Sequence, residues 1–491
     1  MSTFFSVPQR KRYTFLTVVT KIGRLAQELS ASNPWWRKAD WATNDPDLQD
    51  VGDSSLAYAS PVLRDLTPGC LHILRGPRRV GKTVAVKQKI SELLAAGAPP
   101  TSIVRVATDG WAAKDLRTMV QNTALPPVPD GHQRTWFLDE VSAVTGAWDQ
   151  QIKWLRDNDT AFRRATVVLT GSDASALTSA GGALAGRRGD GVDLDRTLLP
   201  IGFRTFVSLV RPGAAPDVPA LGIHQLRGPT ARDAYLAALP WLGELVSAWE
   251  LYLQYGGFPR AVASALVGEP IPASFVDDVF NVIAGDAFKT SQLSRNTEMA
   301  LLERLWAAMA SPANVSKIGA DVDVSAAVVT RHIDYLRHAF LLWSCPRRSD
   351  SGWTAVQRSQ EKLYAVDPIV ARLAHLRNVE RADVDPTVLT EMQLGMAIRR
   401  RVLRENRDAQ NDEFLFHVRT PARKEIDFVS PHLSGTAVEG KYTEDGSWRR
   451  EAATVIASQW DGVLCTRNVL DVGANGAWAV PAGMFAYLVD T

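Results

Sequence analysis

The chain has 491 residues, 46% hydrophobic and 22% charged, with a formal net charge of +2; at about 100 to 200 residues per domain this suggests about three or four cores, and any nucleic-acid contact has to come from a local patch. No apolar run reaches the ~18 residues of a membrane helix, and the start "MSTFFSVPQRKRYTF" lacks the pattern of a signal peptide, so a cytoplasmic protein with no membrane contact is expected. Cys70, Cys345 and Cys465 lie far apart and the eight histidines form no Cys/His cluster, which argues against a disulfide framework or structural zinc.

Residues 1–65 mix a basic start with "NPWWRKADWATNDPDLQDVGD" and show no sustained periodicity, as expected of an arm packed on the next domain. Over 66–210 short apolar strands ("CLHILRG", "IVRVATD", "TWFLDE", "ATVVLTG") alternate with amphipathic segments ("KTVAVKQKISELLAAG", "AAKDLRTMVQN", "WDQQIKWLRDN"), which predicts an α/β core with a parallel sheet and flanking helices. The Pro- and Gly-rich stretch 211–233 reads as a linker, followed by helical periodicity to 310. Over "LLERLWAAMASPANVSKIGADVDVSAAVVTRHIDYLRHAFLLW" (301–343) three short helices are expected, the third from Ser325 with Val329, Ile333, Leu336 and Phe340 near one face, which is winged-helix spacing, and 311–390 is taken as a winged helix and connector. That third helix carries few basic groups (Arg331, His332, Arg337, His338), so packing and DNA binding both stay open. Residues 391–491 read as a helix, the strands "EFLFHV", "EIDFVS" and "TAVEGKY", a helix and the strand "GVLCT".

"GPRRVGKT" (Gly76, Pro77, Arg78, Arg79, Val80, Gly81, Lys82, Thr83) is a complete G-x-x-x-x-G-K-[ST] phosphate loop between a predicted strand and helix. Its backbone N–H groups would turn around phosphate oxygens, with Lys82 on the β/γ-phosphates and the Thr83 hydroxyl on Mg²⁺. "TWFLDE" then brings Asp139 to the Mg²⁺ shell and Glu140 to an attacking water. Thr170 in "VVLTGS" is a candidate sensor of the γ-phosphate or a core-strand residue. Arg187 and Arg188 in "GALAGRRGD" are either arginine fingers, in cis or from a neighbouring subunit in an oligomer, or solvated loop arginines.

Glu439 and Lys441 in "AVEGKYTEDG" stand two apart on a strand and share a face, either as an exposed salt bridge or as a metal-and-proton site.

In this order, "NPWWRKADW", "LRGPRRVGKT", "FLDE", "LTGS", "LAGR" ahead of "LLPIGFRTFVSLV", and "YGGFPRAV" resemble the bacterial and archaeal AAA-type ATPases whose core runs into a winged helix and a C-terminal PD-(D/E)xK nuclease-like domain. The resemblance implies a P-loop AAA-type core, a helical and winged-helix middle region and a C-terminal α/β restriction-endonuclease-like domain. It implies that Pro259 packs near the nucleotide base, and that Glu391, Asp427 and Glu439 hold Mg²⁺ or Mn²⁺ beside a catalytic Lys441, with Glu425 a second ligand or a strand-face charge. The function expected is binding and hydrolysis of ATP, whose nucleotide state controls a metal-dependent nuclease acting on DNA or RNA. The other reading is a nucleotide-driven switch or scaffold with a non-catalytic C-terminal binding module.

Overall fold

The computed structural model describes Gly23 and residues 25–490, except 123–124, 216, 292, 357–358, 407–413, 421–423, 445, 458–459 and 474. The basic start of the arm lies outside the described residues. Two compact units make up the chain: residues up to Pro77 together with Gly81–Leu198, and Arg78–Val80 together with Leu199–Thr491. The first unit therefore ends before helix Phe203–Val210, which the sequence reading had placed inside the core.

In the first unit β1 (Leu71–Arg75), β2 (Ile103–Ala107), β3 (Thr135–Asp139), β4 (Thr166–Gly171) and β5 (Asp195–Thr197) form one sheet in the order β2-β3-β4-β1-β5. Every pairing is parallel, as helical crossovers require. Leu71, Ile73, Val167 and Val168 are fully buried, so side chains on both faces of the sheet are covered and the strands read as unbroken apolar runs. The register sets Arg75 beside Gly171 and Leu138 beside Leu169. The carboxyl ends of β1, β3 and β4 thus finish side by side, where ligands collect in open parallel sheets.

The arm belongs to this unit and closes the sheet's edge. β2 is an edge strand, and an edge strand exposes unpaired backbone groups. Buried Asn33 answers them with its amide: Arg105 N–H donates to its Oδ1 at 2.6 Å and its Nδ2 donates to Arg105 O at 2.8 Å. The indoles of Trp35 and Trp36 both donate to Ile103 O, at 3.1 and 2.9 Å. "NPWW" is a set of side-chain donors and acceptors standing in for a missing strand.

In the second unit helices Arg295–Ala307, Val315–Asp321 and Ala326–His338 precede an antiparallel hairpin of β6 (Leu342–Cys345) and β7 (Lys362–Ala365). Ser325 caps the third helix by accepting from Val328 N–H; Val329, Ile333 and Leu336 are buried as their spacing predicts, whereas Phe340 lies beyond the helix's end at φ 58° and is half-buried. His332 is buried as well, with Nε2 3.8 Å from Glu298, so it is withdrawn from any basic surface. After helix Pro386–Glu405 come β8 (Phe416–Arg419), β9 (Glu425–Val429), β10 (Thr436–Gly440), helix Trp448–Ala457, β11 (Asp461–Thr466), β12 (Ala477–Pro481) and helix Ala482–Val489. The sheet order is β12-β11-β10-β9-β8, parallel from β10 to β12 and antiparallel from β8 to β10. The expected linker 211–233 contains the start of helix Pro229–Ala238, because Pro229 suits a first helical position.

Replacing Asn33 by Ala leaves the N–H and C=O of Arg105 without those partners on a buried strand. The expected loss of stability in the first unit is about 2 to 4 kcal/mol, read as a lowered midpoint in urea denaturation followed by tryptophan fluorescence.

Candidate functional site

β1 runs into the phosphate loop, which turns through positive φ at Gly76, Arg79 and Gly81 before helix Lys82–Ala95 begins. Lys82 is buried, and its ammonium donates to Gly76 O and Pro77 O, both at 2.9 Å, bracing the loop from inside. Thr83 follows in the helix's first turn.

Asp139 ends β3, buried, with both oxygens engaged. Its Oδ1 accepts from Thr170 Oγ1 at 2.7 Å, and its Oδ2 accepts from Arg105 Nη2 at 2.6 Å. Glu140 follows in the left-handed region at φ 61°, an uncommon conformation for a side-chain-bearing residue. Its N–H donates to Thr170 Oγ1 at 2.9 Å, and its Oε1 accepts from Ser142 Oγ, Ser172 N–H and Ser172 Oγ, at 3.0, 3.0 and 2.5 Å. Thr170 is fully buried and spends its single hydroxyl proton on Asp139 while accepting from Glu140. It orients the two acids, and that use of its proton argues against a direct donor to a phosphate. Sequence reasoning missed Arg105 and Ser172; the second was signalled only as the serine after "LTG".

Neither arginine of "GRRGD" points outward unpaired. Arg188 has a largely buried side chain, its Nη1 2.5 Å from Asp195 Oδ2, and Asp195 also meets Arg75 at 2.5 Å, so this guanidinium ties the loop to the sheet. That placement corrects the finger reading for Arg188, since a finger has to reach a ligand. Arg187 is partly exposed and pairs with Asp157 at 2.7 Å.

Pro259 starts helix Pro259–Val267 in the second unit. The glycines before it have a local reason. A Cβ on Gly256 would stand 2.2 Å from Asp367 Oδ1, and one on Gly257 2.1 Å from Ile201 O. Gly257 N–H donates to buried Asp367 at 2.7 Å and Gly257 O accepts from Ile201 N–H at 2.7 Å. "GGF" is thus fixed by close backbone approach, with no ligand invoked.

In the second unit the four residues that the resemblance assigned to a metal site come together. Helix Pro386–Glu405 lies so close to β10 that a Cβ on Gly440 would stand 3.2 Å from Glu391 Cα. Asp427 Oδ2 accepts from Gly440 N–H at 3.0 Å. Glu439 is buried beside Asp427, and its Oε2 lies 3.0 Å from Lys441 Nζ. Of the two readings of this strand pair, the exposed salt bridge does not hold as such: the two groups do pair, but with the carboxylate buried and only the lysine partly exposed. Burial leaves Glu439 needing a cation, and Lys441 on the same strand face is the nearest one along the chain.

A residue absent from the sequence reading sits at the centre. Lys362, on β7 and almost fully buried, places its ammonium 2.9 Å from Asp427 Oδ1, 3.0 Å from Glu391 Oε1 and 3.4 Å from Glu425 Oε2. Tyr364, two residues along the same strand, donates to Glu391 Oε1 at 2.7 Å. Among the described residues no group of three or more His, Cys, Asp and Glu is arranged to hold a metal ion. The carboxylates are spaced around an ammonium, so as they stand they do not fit the divalent ion the resemblance implied.

Burial and then Asp427 push the Glu391 carboxyl up to about 7. Burial and the same neighbour push Glu439 well above the usual range. Burial would raise Asp427 too, but Lys362, Lys441 and the Gly440 N–H outweigh it and hold that carboxyl low.

Residues 70–207 match a family model described as an AAA domain, and residues 246–381 match one described as a domain of unknown function. The chain thus carries an AAA-type P-loop domain built on the five-stranded parallel sheet. Similar solved structures include the Walker-type ATPase of Pyrococcus abyssi, at 12% identity and TM-score 0.36, covering 69% of this chain and 95% of that one. The Aeropyrum pernix ORC2 protein, solved as ADPNP and ADP complexes, is 11% identical with TM-score 0.32, covering 68% and 95%. A Thermotoga maritima RuvB variant is 14% identical with TM-score 0.25, covering 58% and 83%. Scores this low say nothing of what the present chain binds. No curated protein matches it.

A carboxyl raised on folding binds its proton more tightly in the native state. Folding then takes up that proton between the ordinary value of 4.5 and about 7, and stability falls as pH rises through this window. Glu391→Gln should flatten this part of the pH dependence, checked by comparing urea midpoints of wild type and variant at about pH 5 and about pH 8.

Proposed function

We propose that the protein binds ATP with Mg²⁺ and hydrolyses it. The observation that carries this reading is the network in which Thr170 joins Asp139 to Glu140, at the end of strands that also deliver the phosphate loop. The residue set suits a Mg²⁺–nucleotide: loop N–H groups and Lys82 for phosphate oxygens, with Thr83 and Asp139 for the ion. Bound Mg²⁺ would neutralise charge on the phosphates. Glu140, held by Ser142 and Ser172 through one oxygen, keeps its other oxygen to orient a water. Pro259 as a base contact and Arg187 as a finger toward a second subunit belong to the same proposal.

For the C-terminal region two readings stand. Support for a nuclease-like domain acting on nucleic acid comes from the order helix, β8, β9, β10, helix, β11, and from the gathering of Glu391, Asp427, Glu439 and Lys441. Three helices followed by the β6–β7 hairpin suit a winged helix ahead of it. A nucleotide-driven switch with a non-cutting C-terminal module is favoured by one observation, Lys362 among the carboxylates.

Lys82→Ala should abolish ATP binding. Glu140→Gln should keep binding and lose turnover by about 10³-fold. Thr170→Val should also keep binding and lose about 10- to 100-fold in turnover through misplacement of Asp139 and Glu140. Fluorescent-nucleotide titration and phosphate release measure the two effects, and wild-type turnover in Glu140→Gln would remove that residue from its role. The C-terminal readings are separated by incubating plasmid, linear DNA, single-stranded DNA and RNA in Mg²⁺ or Mn²⁺, with and without ATP. Cleavage lost in Asp427→Ala and Lys441→Ala selects the nuclease; no cleavage under any condition selects the switch.

A further inference from the structure

The Lys362 ammonium is placed as an ion would be. It is 3% exposed and within 3.4 Å of oxygens from Glu391, Glu425 and Asp427, which arrive from one helix and one strand of the C-terminal sheet. Its backbone is equally fixed. β7 pairs with β6 in the register Cys345 to Lys362 and Trp343 to Tyr364, and the Tyr364 ring stacks on Trp343 with centroids 4.6 Å apart. Tyr364 then holds Glu391 by its hydroxyl. The lysine is thus part of a packed strand rather than a loose surface side chain folded inward.

The spacing also favours an ammonium over a metal. Mg²⁺ draws oxygens to about 2.0 to 2.1 Å in an octahedron, whereas these oxygens lie at the 2.9 to 3.4 Å of N–H···O contacts. A divalent ion drawn to the same three carboxylates would have to stand against a buried positive charge. Glu439, also beside Asp427, has the Lys441 ammonium 3.0 Å from its Oε2, although neither of its buried oxygens accepts a hydrogen bond. Four carboxylates (Glu391, Glu425, Asp427, Glu439) therefore share two ammonium groups, and removing Lys362 would leave one.

We infer that Lys362 is the resident cation of the C-terminal carboxylate cluster, and that the cluster takes no divalent ion while β7 holds this lysine in place. The inference rests on reading these carboxylates as a nuclease-like set and adds what controls their access to metal. A divalent ion can enter once the lysine is withdrawn or replaced.

The test is Mn²⁺ binding by the full chain without nucleotide, followed by electron paramagnetic resonance, with thermal melting to check each variant's fold. Wild type and Asp427→Asn should bind Mn²⁺ alike. Lys362→Met should gain one ion per chain, bound at least tenfold more tightly than anything in wild type, and Asp427→Asn added to Lys362→Met should remove the gain. Lys362→Arg, which keeps the cation, should gain nothing. An ion in wild type that Asp427→Asn abolishes overturns the inference, and this comparison decides alone if Lys362→Met does not fold. A folded Lys362→Met that gains no ion overturns it too. The cleavage assay keeps the two ideas apart: wild type that cuts in Mn²⁺ and holds an Asp427-dependent ion defeats the inference and leaves the nuclease reading standing, whereas a folded Lys362→Met with neither ion nor cleavage removes both.

Discussion

A carboxylate withdrawn from water has to be met by a cation or by several hydrogen-bond donors, and an unmet one is among the costliest defects a core can carry. Much of this chain is arranged around that constraint. Asp139 is met by Arg105 and Thr170, Asp427 by Lys362 and the Gly440 N–H, and Asp490 by both arms of Arg400 and the Phe203 N–H. Asp367 is met by the N–H groups of Gly257 and Ile369, and burial pushes its carboxyl up to about 6 despite them. Each solution draws in a distant segment, and that segment then has to suit it. The two glycines ahead of Phe258 exist because Asp367 and Ile201 O leave no room for a Cβ.

The sequence was legible where one segment carries its own evidence. Alternating apolar and amphipathic runs gave the parallel sheet, because strands buried on both faces need no outside information to be recognised. The phosphate loop was legible for the same reason: eight consecutive residues contain the turn, the lysine and the hydroxyl. Glu391, Asp427, Glu439 and Lys441 were singled out only through the resemblance to a nuclease-like domain, and what the structure adds is that they lie near one another. The hairpin β6–β7 was not, since its strands are four residues each and are separated by a polar stretch. Lys362 went with it. Its partners lie 29, 63 and 65 positions away, and nothing nearby announces them. A usable signal did exist: "KLYA" is otherwise an apolar strand, and a lysine sharing one face with a buried tyrosine needs a carboxylate somewhere.

Arg188 of "GRRGD" was hidden for the opposite reason. A Gly-rich loop suggests freedom, yet Asp195 lies only seven residues beyond Arg188 on β5 and captures it along with Arg75. The short strand that carries Asp195 is too brief to show a period, so the ion pair that defines the loop could not be read from pattern. Arg105 was equally hidden: on β2 it reads as one polar residue in an apolar strand, and only the parallel register with β3, which sets it beside Phe137, lets its side chain reach Asp139 two residues on.

The two acidic centres make the same point in opposite ways. Glu140 is held by hydroxyls and an N–H, groups that fix a carboxylate's direction without bringing a counter-charge to it. The cluster around Asp427 is held by an ammonium, which fixes the carboxylates and offsets part of their charge at once. An acid positioned by neutral donors is ready for chemistry when its substrate arrives. An acid positioned by a lysine first has to give that lysine up, and the buried carboxylates left behind then need another cation. The choice of supporting residue, two serines around the Glu140 carboxylate and a lysine around Asp427, therefore separates an acid left without a counter-charge from a cluster already closed around one of its own.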